Sequence, residues 1–455
     1  MNVEDIRHTA EQNPAVIVIG GGPAGASAAT VLARKGYAVL LLEKLRFPRF
    51  HIGESLLPFM AGQLERMGLL GKVEQSGFVR KFGTEFTGED GSFKRIDFTS
   101  QGAGRRLSTF QVERAIFDNM LLDQAREAGV HVLEEATVTQ VLVEGEAVVG
   151  VQYVYQGETR EVRAPYVIDG SGRAGKVASL FHLRKYNQRL RNVAVFTYFK
   201  NLNEANNPGW PGDTMLGFHK DGWIWAIPIH EDTISIGALT TYEVIKQASS
   251  IEEVFEAHYP RVPRIVQRLR GATQGAPVQA ETDYCYHCEK LAGPGYIIVG
   301  DAGCFVDPIF SAGVYLSVIC GIRAAETIDT IYRGQAQAEE ALAQYERFSK
   351  TGYDCNFRLA YAFYDYDHDF AKFIWSNRGK FEEKHISRAI GGDFWNPYNS
   401  ITRYLRSERK WDTFGESFDF AYGCPVYPEM EAREAMEESW MPPAEPAVSI
   451  LPTRS

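Results

Sequence analysis

The sequence lacks the features of a membrane or nucleic-acid-binding protein. It contains no run of eighteen apolar residues, about the length that a membrane-spanning helix requires. Its formal net charge of −10 argues against a broad basic face for nucleic acid or anionic lipid. Residues 1–13 carry Glu4, Asp5 and Glu11 and lack the apolar core of an export signal. We therefore expect a cytoplasmic protein with no nucleic-acid or membrane partner.

Metal-ligand patterns are also missing. The six cysteines are scattered, and only Cys285 and Cys288 have the spacing of a metal or redox pair. Neither a second pair nor a histidine cluster accompanies them, so the sequence predicts no metal site. The alternation of residues 283–286 favours a strand instead. At 455 residues the chain is long enough for a large core, and we expect two closely joined lobes and a tail.

The N-terminal region has the order strand, glycine turn, helix, strand, acid. Apolar runs at 15–19 and 38–42 predict buried strands, and a helix is expected from about 26 to 35. The turn lets backbone N–H groups and a helix N-terminus approach a pyrophosphate, through Gly20, Gly22, Pro23, Ala24 and Gly25. Glu43, followed by Lys44, stands where a carboxylate accepts hydrogen bonds from ribose hydroxyls. This pattern predicts nucleotide binding by a Rossmann-like α/β lobe.

A second distinctive segment contains two tryptophans and a proline. In a strand, Trp223 and Trp225 point to the same face, because side chains alternate with period two. Pro228 is expected to end or edge the strand, since it has no N–H to donate. Two indoles on one face form a rigid wall, although such stripes usually mean a packed core.

Two further segments resemble the flavin monooxygenase superfamily. A strand at 296–299 leads into Gly300 and Asp301, similar to the signature whose aspartate binds the flavin ribitol. Gln111 and Arg114, ahead of a predicted helix from residue 115, resemble the third FAD contact. The resemblance implies FAD rather than NAD. It also implies an α/β fold with a Rossmann-like FAD-binding domain, an inserted β-sheet substrate region and a C-terminal helical region.

Four segments make residues 14–375 similar to the flavin-dependent halogenases in particular. They are W-x-W-x-I-P at 223–228, F-x-x-P-x-x-S-x-G at 305–313, G-E-S-x-x-P at 53–58, and Lys81 within 80–83. The resemblance implies that reduced FAD and oxygen convert chloride or bromide into hypohalous acid, which is relayed to Lys81. Burial would lower the pKa of that lysine and favour its action as a nucleophile.

The resemblance also assigns roles to the other motif residues. The wall of Trp223 and Trp225 would keep the substrate away from the flavin. Ser311, expected as the N-cap of the following helix, would bind halide with the backbone N–H groups of Ala312 and Gly313. The contacts expected for the cofactor from these motifs are Ser55, Pro308 and Gly313.

The substrate is expected to be an electron-rich aromatic compound. Halogenases that act on free tryptophan have a glutamate directly before the motif serine, whereas this chain has Phe310. That departure favours a phenol or pyrrole, either free or tethered to an acyl or peptidyl carrier protein, with Glu54 as an alternative proton acceptor. No second glycine-rich nucleotide turn is visible, so a separate flavin reductase is implied.

Three other interpretations stay open at this point. Residues 169–173 read D-G-S-G-R, which leaves some similarity to FAD-dependent aromatic hydroxylases. A reductase similar to geranylgeranyl reductase explains the FAD motifs but gives no reason for Lys81 or for both tryptophans. A flavin-binding sensor explains less still.

We expect four regions along the chain. Residues 1–13 form an extension, and residues 14–345 form the FAD module, with its substrate-side sheet at about 185–280. Residues 346–440 form a helical region whose aromatic residues between 353 and 375, on one apolar face, cap the substrate. Residues 441–455 are expected to be a disordered tail.

Overall fold

A computed structural model describes residues 13–98, 108–203, 210, 212–382 and 384–414. Residues 1–12 of the expected extension, the end of the helical region and the expected tail at 441–455 lie outside these ranges. The strands are β1 (Val16–Ile19), β2 (Val39–Leu42), β3 (Val79–Lys81), β4 (Gly83–Gly88), β5 (Phe93–Asp97), β6 (Thr109–Gln111), β7 (His131–Leu133), β8 (Thr137–Glu144), β9 (Ala147–Tyr155), β10 (Glu158–Arg163), β11 (Tyr166–Asp169), β12 (Arg184–Lys200), β13 (Thr214–His219), β14 (Gly222–His230), β15 (Thr233–Thr241), β16 (Thr273–Gln274), β17 (Gln279–Cys288), β18 (Ala292–Gly293), β19 (Tyr296–Ile298) and β20 (Cys304–Phe305).

The α-helices lie between and after these strands. They are α1 (Pro23–Arg34), α2 (Met60–Arg66), α3 (Leu70–Gln75), α4 (Arg114–Ala128), α5 (Lys176–Leu180), α6 (Tyr242–Gln247), α7 (Ile251–His258), α8 (Pro263–Arg268), α9 (Gly313–Tyr332), α10 (Ala338–Asp365), α11 (Phe370–Ser376), α12 (Lys384–Gly391) and α13 (Ser400–Ser407).

The first lobe is built on a six-stranded sheet with the order β18-β19-β11-β1-β2-β7. All pairs from β19 to β7 are parallel, and only β18 runs antiparallel at the edge. β1 and β2 are buried throughout, which explains their continuous apolar runs. The chain passes from β1 through α1 to β2, so the carboxyl ends of the strands meet at one edge, where such sheets bind ligands. The predicted α/β class is confirmed.

The second lobe is a larger mixed sheet with the strand order β20-β17-β12-β15-β14-β13-β4-β5. A short additional strand, β16, pairs with β12 outside this order. Trp223 and Trp225 lie on one face of this sheet, as their alternation predicts. The opposite face carries Ile224 and Ala226 and packs against a layer formed by α7 and α8. The region expected to be rich in strands therefore also contains three helices, α6 to α8.

Pro228 does not end its strand but lies at a local edge of the sheet, the second of the two positions expected for it. β14 continues to His230 and pairs with β15 through Pro228. Its pairing with β13 stops at Ala226, so Pro228 meets no strand on that side. The missing N–H is tolerated because the proline lies beyond the end of a neighbouring strand, at a local edge of the sheet.

The C-terminal region begins with a helix that is shared with the first lobe. α10 runs without a break from Ala338 to Asp365, so the expected boundary between residues 345 and 346 falls inside it. Its buried face includes Tyr353, Phe357 and Phe363, as the spacing predicts. Trp375 of α11 is 67% exposed and does not belong to that face, contrary to expectation.

No helix in the described ranges is long and apolar enough to cross a lipid bilayer. Cys285 and Cys288 both lie in β17, and among the described residues no group of three or more histidine, cysteine or acidic side chains is arranged to hold a metal ion.

The tryptophan strand depends on one close backbone approach, which gives a stability prediction. A Cβ atom on Gly237 of β15 would lie 2.1 Å from the Trp225 ring. We expect Gly237→Ala to displace that indole and to lower the free energy of unfolding by about 1–3 kcal/mol. Denaturant unfolding measures this loss. Gly71→Ala is the matched control, because its Cβ would meet nothing within 4 Å in α3, and it should stabilise by about 0.5–1 kcal/mol. Equal effects of the two substitutions would contradict the prediction.

Candidate active site

The glycine turn after β1 is shaped for close approach by a phosphate group. A Cβ on Gly25 would lie 2.0 Å from the Gly20 carbonyl oxygen, so helix and turn pack with no room for a side chain. Gly20 itself has a φ of +94°, which favours glycine. Gly22, the N-cap of α1, has only an Arg49 nitrogen near its would-be Cβ, at 3.5 Å. The N-terminus of α1, beginning at Pro23, is therefore approachable by an anion from that side.

Glu43 lies at the carboxyl end of β2, where the sequence predicts a ribose contact. One carboxylate oxygen accepts the Gly21 N–H at 2.6 Å and the other accepts the Leu45 N–H at 2.8 Å. These bonds fix the carboxylate beside the glycine turn and leave lone pairs for hydroxyl donors. Ala24 is buried under the turn, whereas Lys44 is exposed beside it.

Gly300 and Asp301 follow β19 at the same edge of the sheet. Gly300 has a φ of +60°, and its would-be Cβ lies 3.0 Å from that of Ala24, so α1 closes against this turn. Burial raises the pKa of Asp301 to about 6, opposed by the positive charge of Arg114. The two predicted FAD signatures therefore come together although they lie far apart in the chain.

Arg114 lies near Asp301 of that edge, and Gln111 comes shortly before it at the end of β6. The Arg114 guanidinium donates to both oxygens of Asp118, at 2.8 and 2.9 Å, and to the Ile52 carbonyl at 2.6 Å. Gln111 is fully buried, and its Nε2 donates to Thr214 Oγ1 at 2.9 Å. Its Oε1 is a buried acceptor with no hydrogen-bond partner, which suits a ligand that presents an N–H or O–H group.

One residue of this region was missed by the sequence analysis. Arg49 forms an ion pair with Asp118 at 3.0 Å and lies beside Gly22 at the N-terminus of α1. A cation at that place is suited to hold a pyrophosphate. No local pattern marks an arginine so far along the chain from the turn, so spacing alone could not have identified it.

Lys81 ends β3 and is 2% exposed. Its ammonium nitrogen donates to Ser55 Oγ at 2.9 Å and to the Leu56 carbonyl oxygen at 3.4 Å. It also lies 5.2 Å from the centre of the Phe98 ring. The lysine is therefore held by the 53–58 motif and does not face bulk solvent.

Burial lowers the pKa of Lys81 to about 8, and the negative charge of Asp213 opposes this shift. Asp213 accepts the backbone N–H groups of Phe82 and Gly83 at 2.7 and 2.8 Å, and Arg95 Nη2 lies 2.6 Å from its other oxygen. The carboxylate thus fixes the backbone that follows the lysine. Near neutral pH the amine is in equilibrium between its charged and neutral forms.

A small cavity, with room for about one water molecule, lies against the Lys81 side chain. Among the described residues that line it, Lys81 is the one ionisable side chain, and two threonines and one serine supply the hydroxyl groups nearby. The lining residues are Leu57, Lys81, Thr84, Phe86, Thr214, Leu216, Ile309, Phe310, Ser311 and Ile390.

The loop that closes this cavity begins at Asp307 and ends at α9. Asp307 accepts the Ile309 N–H at 3.0 Å and so caps the short 3₁₀ helix Pro308–Phe310. Ser311 then adopts a left-handed conformation, with a φ of 55°. It is not the N-cap of α9, which corrects the expectation. Ala312 holds that position without a side-chain cap, and Gly313 begins the helix.

The left-handed turn changes what this helix start can do. Because no side chain caps the start of α9, the N–H groups of Ala312 and Gly313 have no local side-chain acceptor in the described structure. Gly313 and Pro308 are exposed, and a Cβ on Gly313 would meet nothing within 4 Å. This open helix start lies directly after Ser311 of the Lys81 cavity.

The tryptophans occupy the sheet face that also lines the cavity. Trp225 is paired with Leu216 of β13, and Leu216 with Phe86 of β4, so these residues share one face. In the other direction Trp225 is paired with Gly237, and its Nε1 donates to Ser235 Oγ at 3.1 Å. The indole rings of Trp223 and Trp225 have centres 5.9 Å apart. Both tryptophans therefore lie on β14, which separates the cavity from β15 and β12.

Glu54 and Ser55, neighbours in one motif, are directed to different partners. Ser55 Oγ contacts Lys81 and lies 3.0 Å from Thr214 Oγ1. Glu54 accepts the Tyr198 hydroxyl at 2.7 Å, and burial raises the pKa of its carboxyl group. Glu54 is not among the residues that line the cavity, so the structure does not bring it to the Lys81 side.

The fold and this edge of the sheet define a dinucleotide-binding flavoprotein with a second, small cavity at Lys81. The profile of the tryptophan halogenase family matches residues 15–99 and 93–390. The chain therefore belongs to this family, which confirms the resemblance drawn from its motifs. FAD is the cofactor of the family's flavin-dependent members, and the glycine turn, Glu43, Asp301 and the unpaired Gln111 oxygen fit it.

Similar proteins support the same assignment. Tryptophan 2-halogenase from Chondromyces crocatus is 35% identical over 345 residues, covering 73% of this chain and 64% of that protein. Sulochrin halogenase gedL from Aspergillus terreus is 32% identical over 368 residues, covering 74% and 67%. The structure of the flavin-dependent brominase Bmp2 superimposes with a TM-score of 0.78 at 28% identity, covering 88% of this chain and 99% of that one. The chain thus spans just under two thirds of the first relative's length.

The site gives a prediction about the charge of Lys81. We expect the Lys81 amine to titrate near pH 8, whereas exposed lysines titrate above about pH 10. Because the Asp213 carboxylate raises the pKa of Lys81, Asp213→Asn should lower it further. NMR of lysine labelled at the side chain, with Lys81→Met to assign the signal, measures both values. A Lys81 titration at the ordinary lysine pKa would contradict the buried environment described above.

Proposed function

We propose that this protein is a flavin-dependent halogenase that uses reduced FAD, oxygen and chloride or bromide to halogenate an electron-rich aromatic compound. One observation carries the proposal: Lys81 is buried, with its amine against a small cavity that is also lined by Ile309, Phe310 and Ser311 of the 307–313 loop. A buried lysine without a carboxylate partner in that cavity has no evident structural purpose, since burial of its charge is unfavourable.

Bound FAD, when reduced and supplied with oxygen, would provide the two-electron oxidation of halide to hypohalous acid. The glycine turn, Glu43, Arg49 and Asp301 would hold the nucleotide, and Gln111 Oε1 would accept a hydrogen bond from it. The Ala312 and Gly313 N–H groups, at the start of the twenty-residue helix α9, would bind the halide. Ser311 would orient these donors through its left-handed backbone and not as a helix cap.

Lys81 would convert hypohalous acid into a positioned electrophile. Its amine either donates a hydrogen bond to the acid or forms an N–halogen bond with release of water. The depressed pKa supports both versions, because the charged and neutral amines coexist near pH 8. Ser55 and the Leu56 carbonyl fix the direction of the amine toward the cavity. The substrate carbon then takes the halogen and releases a proton.

The lining of the cavity supports a phenol or pyrrole as substrate. Its walls are apolar apart from Lys81, Ser311 and the hydroxyls of Thr84 and Thr214. A carboxylate that could assist deprotonation is absent from the described lining, since Phe310 takes the place of the family's glutamate. A ring already activated by its own hydroxyl or N–H group needs no such assistance. The proposal includes both a free ring and a ring tethered to a carrier protein.

Trp223 and Trp225 would separate the two reaction sites. Their strand, β14, lies between β12 and the strands β13 and β4 that line the cavity. On β12, Tyr198 contacts Glu54, which belongs to the turn expected beside the flavin. Glu54 would then act on the flavin side, and not as the acceptor of the substrate proton. We also propose a separate flavin reductase as partner and the cytosol as the place of reaction.

The decisive experiment supplies purified protein with FAD, a flavin reductase, NADH, oxygen and halide. Phenols and pyrroles, free and carrier-bound, are offered together with free tryptophan, because one similar protein is named for tryptophan. Mass spectrometry reads the products. A mass gain of one halogen on a phenol or pyrrole is expected. A gain of one oxygen instead would favour the aromatic hydroxylase, and halogenated tryptophan alone would reject the substrate class.

Lys81→Met tests the relay directly. We expect loss of halogenated product by at least about a hundredfold, because the halogen loses its acceptor, while FAD binding and oxidation of reduced flavin by oxygen continue. Product yield, flavin absorbance and oxygen consumption are measured together. Lys350→Met is the matched control, since Lys350 is also buried but contacts Glu346 and Glu289 outside the cavity. Normal product formation by Lys81→Met would remove this lysine from the mechanism.

A further inference from the structure

The carboxylate of Asp307 accepts hydrogen bonds from two other elements of the fold, α10 and β12, and β14 joins them through Tyr364. The Tyr364 hydroxyl, at the end of α10, donates to Asp307 Oδ2 at 2.6 Å. Asn192 of β12 donates to the same oxygen at 3.2 Å. Trp223 of β14 donates its indole N–H to Tyr364 Oη at 3.1 Å. Asp307 is 2% exposed, so these contacts form in the protein interior.

Tyr364 is the central member of this network. Its oxygen donates once, to Asp307, and accepts twice, from Trp223 and from Asn192 Nδ2 at 2.8 Å. A hydroxyl has one proton and two lone pairs, so its bonding capacity is fully used. Removal of this oxygen would leave the Trp223 N–H and the Asn192 amide without this acceptor. It would also remove the donor that makes the shortest hydrogen bond to the Asp307 carboxylate from another element.

Asp307 in turn sets the geometry of the loop that follows it. Burial raises the pKa of Asp307 to about 6, so above that pH the group is a carboxylate that needs several donors. Two come from Tyr364 and Asn192, and a third is the Ile309 N–H of the loop itself. The chain then passes through the left-handed Ser311 to Ala312 and Gly313. The orientation of Asp307 is therefore transmitted to the start of α9 over a few residues.

We propose that Tyr364 is a positioning residue for the halide, which holds the 308–313 loop through Asp307 and ties it to the tryptophan strand. This inference rests on the proposed function, because it takes the Ala312 and Gly313 N–H groups as the halide site. It assigns Trp223 a second task besides forming a wall, since its indole N–H fixes Tyr364. Trp225 does not share this task, because its N–H donates to Ser235.

Tyr364→Phe tests the inference, with Tyr345→Phe as the matched control. Tyr345 is a buried tyrosine of the same helix whose hydroxyl donates to the Ile298 carbonyl at the end of β19 and not to Asp307. Two measurements are made on FAD-loaded protein: bromide affinity, from the change in flavin absorption on bromide titration, and halogenation kinetics at varied bromide. We expect Tyr364→Phe to raise the bromide Kd and KM about tenfold, as for loss of one hydrogen bond to a charged group.

The other parameters separate positioning from general damage. The kcat at saturating bromide, the KM for the aromatic substrate and FAD affinity should stay within about twofold of the parent values, and Tyr345→Phe should leave all halide parameters unchanged. An unchanged bromide Kd in Tyr364→Phe would overturn the inference. A rise in the aromatic KM alone would assign Tyr364 to the substrate pocket and overturn it as well.

Failure of the proposed function would look different. A parent protein that binds bromide but halogenates none of the offered aromatics would reject the function, while the bromide titration would still decide the role of Tyr364. A parent protein without a bromide-dependent flavin signal would overturn the halide site and the inference together. Halogenation by the parent with equal bromide affinity in both tyrosine variants would overturn the inference only.

Discussion

The burial of one ammonium group is the constraint on which the arrangement of this site depends. A charged amine removed from water must find acceptors, lose its proton, or gain a nearby negative charge, and Lys81 combines all three responses. Ser55 and the Leu56 carbonyl accept from it, burial lowers its pKa, and the Asp213 charge limits the shift. Asp213 also binds the backbone after the lysine, so the group that balances the charge also fixes its position. The amine is thereby held at one wall of the cavity.

The motifs that lie far apart in the sequence are connected physically through the two tryptophans. The Trp223 N–H leads through Tyr364 to Asp307 of the 305–313 motif. The Trp225 N–H leads to Ser235, which lies opposite Tyr198 in the sheet, and Tyr198 contacts Glu54 of the 53–58 motif. A buried indole needs a partner for its N–H, so each ring has an acceptor in a different direction. One strand thus sets the positions of both loops relative to the large sheet.

The sequence revealed the parts of the site that local backbone geometry imposes. Gly20 and Gly25 could be found because their turn excludes a Cβ atom, and the tryptophan face because alternation follows from strand geometry. Lys81 could be found only by resemblance to a family. Arg49, Asp213 and Asn192 could not be found, since each acts on a partner distant in the chain and leaves no periodic pattern. Tyr364 belongs to the aromatic stretch expected at 353–375, but the sequence does not reveal its contact with Asp307. Ser311 was misjudged because a serine before a helix usually caps it. For Pro228 the choice between strand end and strand edge stayed open, because a sequence does not tell where a neighbouring strand stops.

Because α10 is continuous, it limits the motions by which a ligand can enter the cavity. Near its start Tyr345 is bonded to β19 of the nucleotide lobe, and at its end Tyr364 is bonded to Asp307. A hinge motion that separates the two lobes would have to bend this helix and break some of its internal hydrogen bonds. The described helix has no proline at which a kink would be tolerated. Admission therefore has to rely on small displacements of side chains and short loops around the cavity mouth. For the halogenation proposed above, turnover should then depend on the bulk of the aromatic compound more than on solvent viscosity.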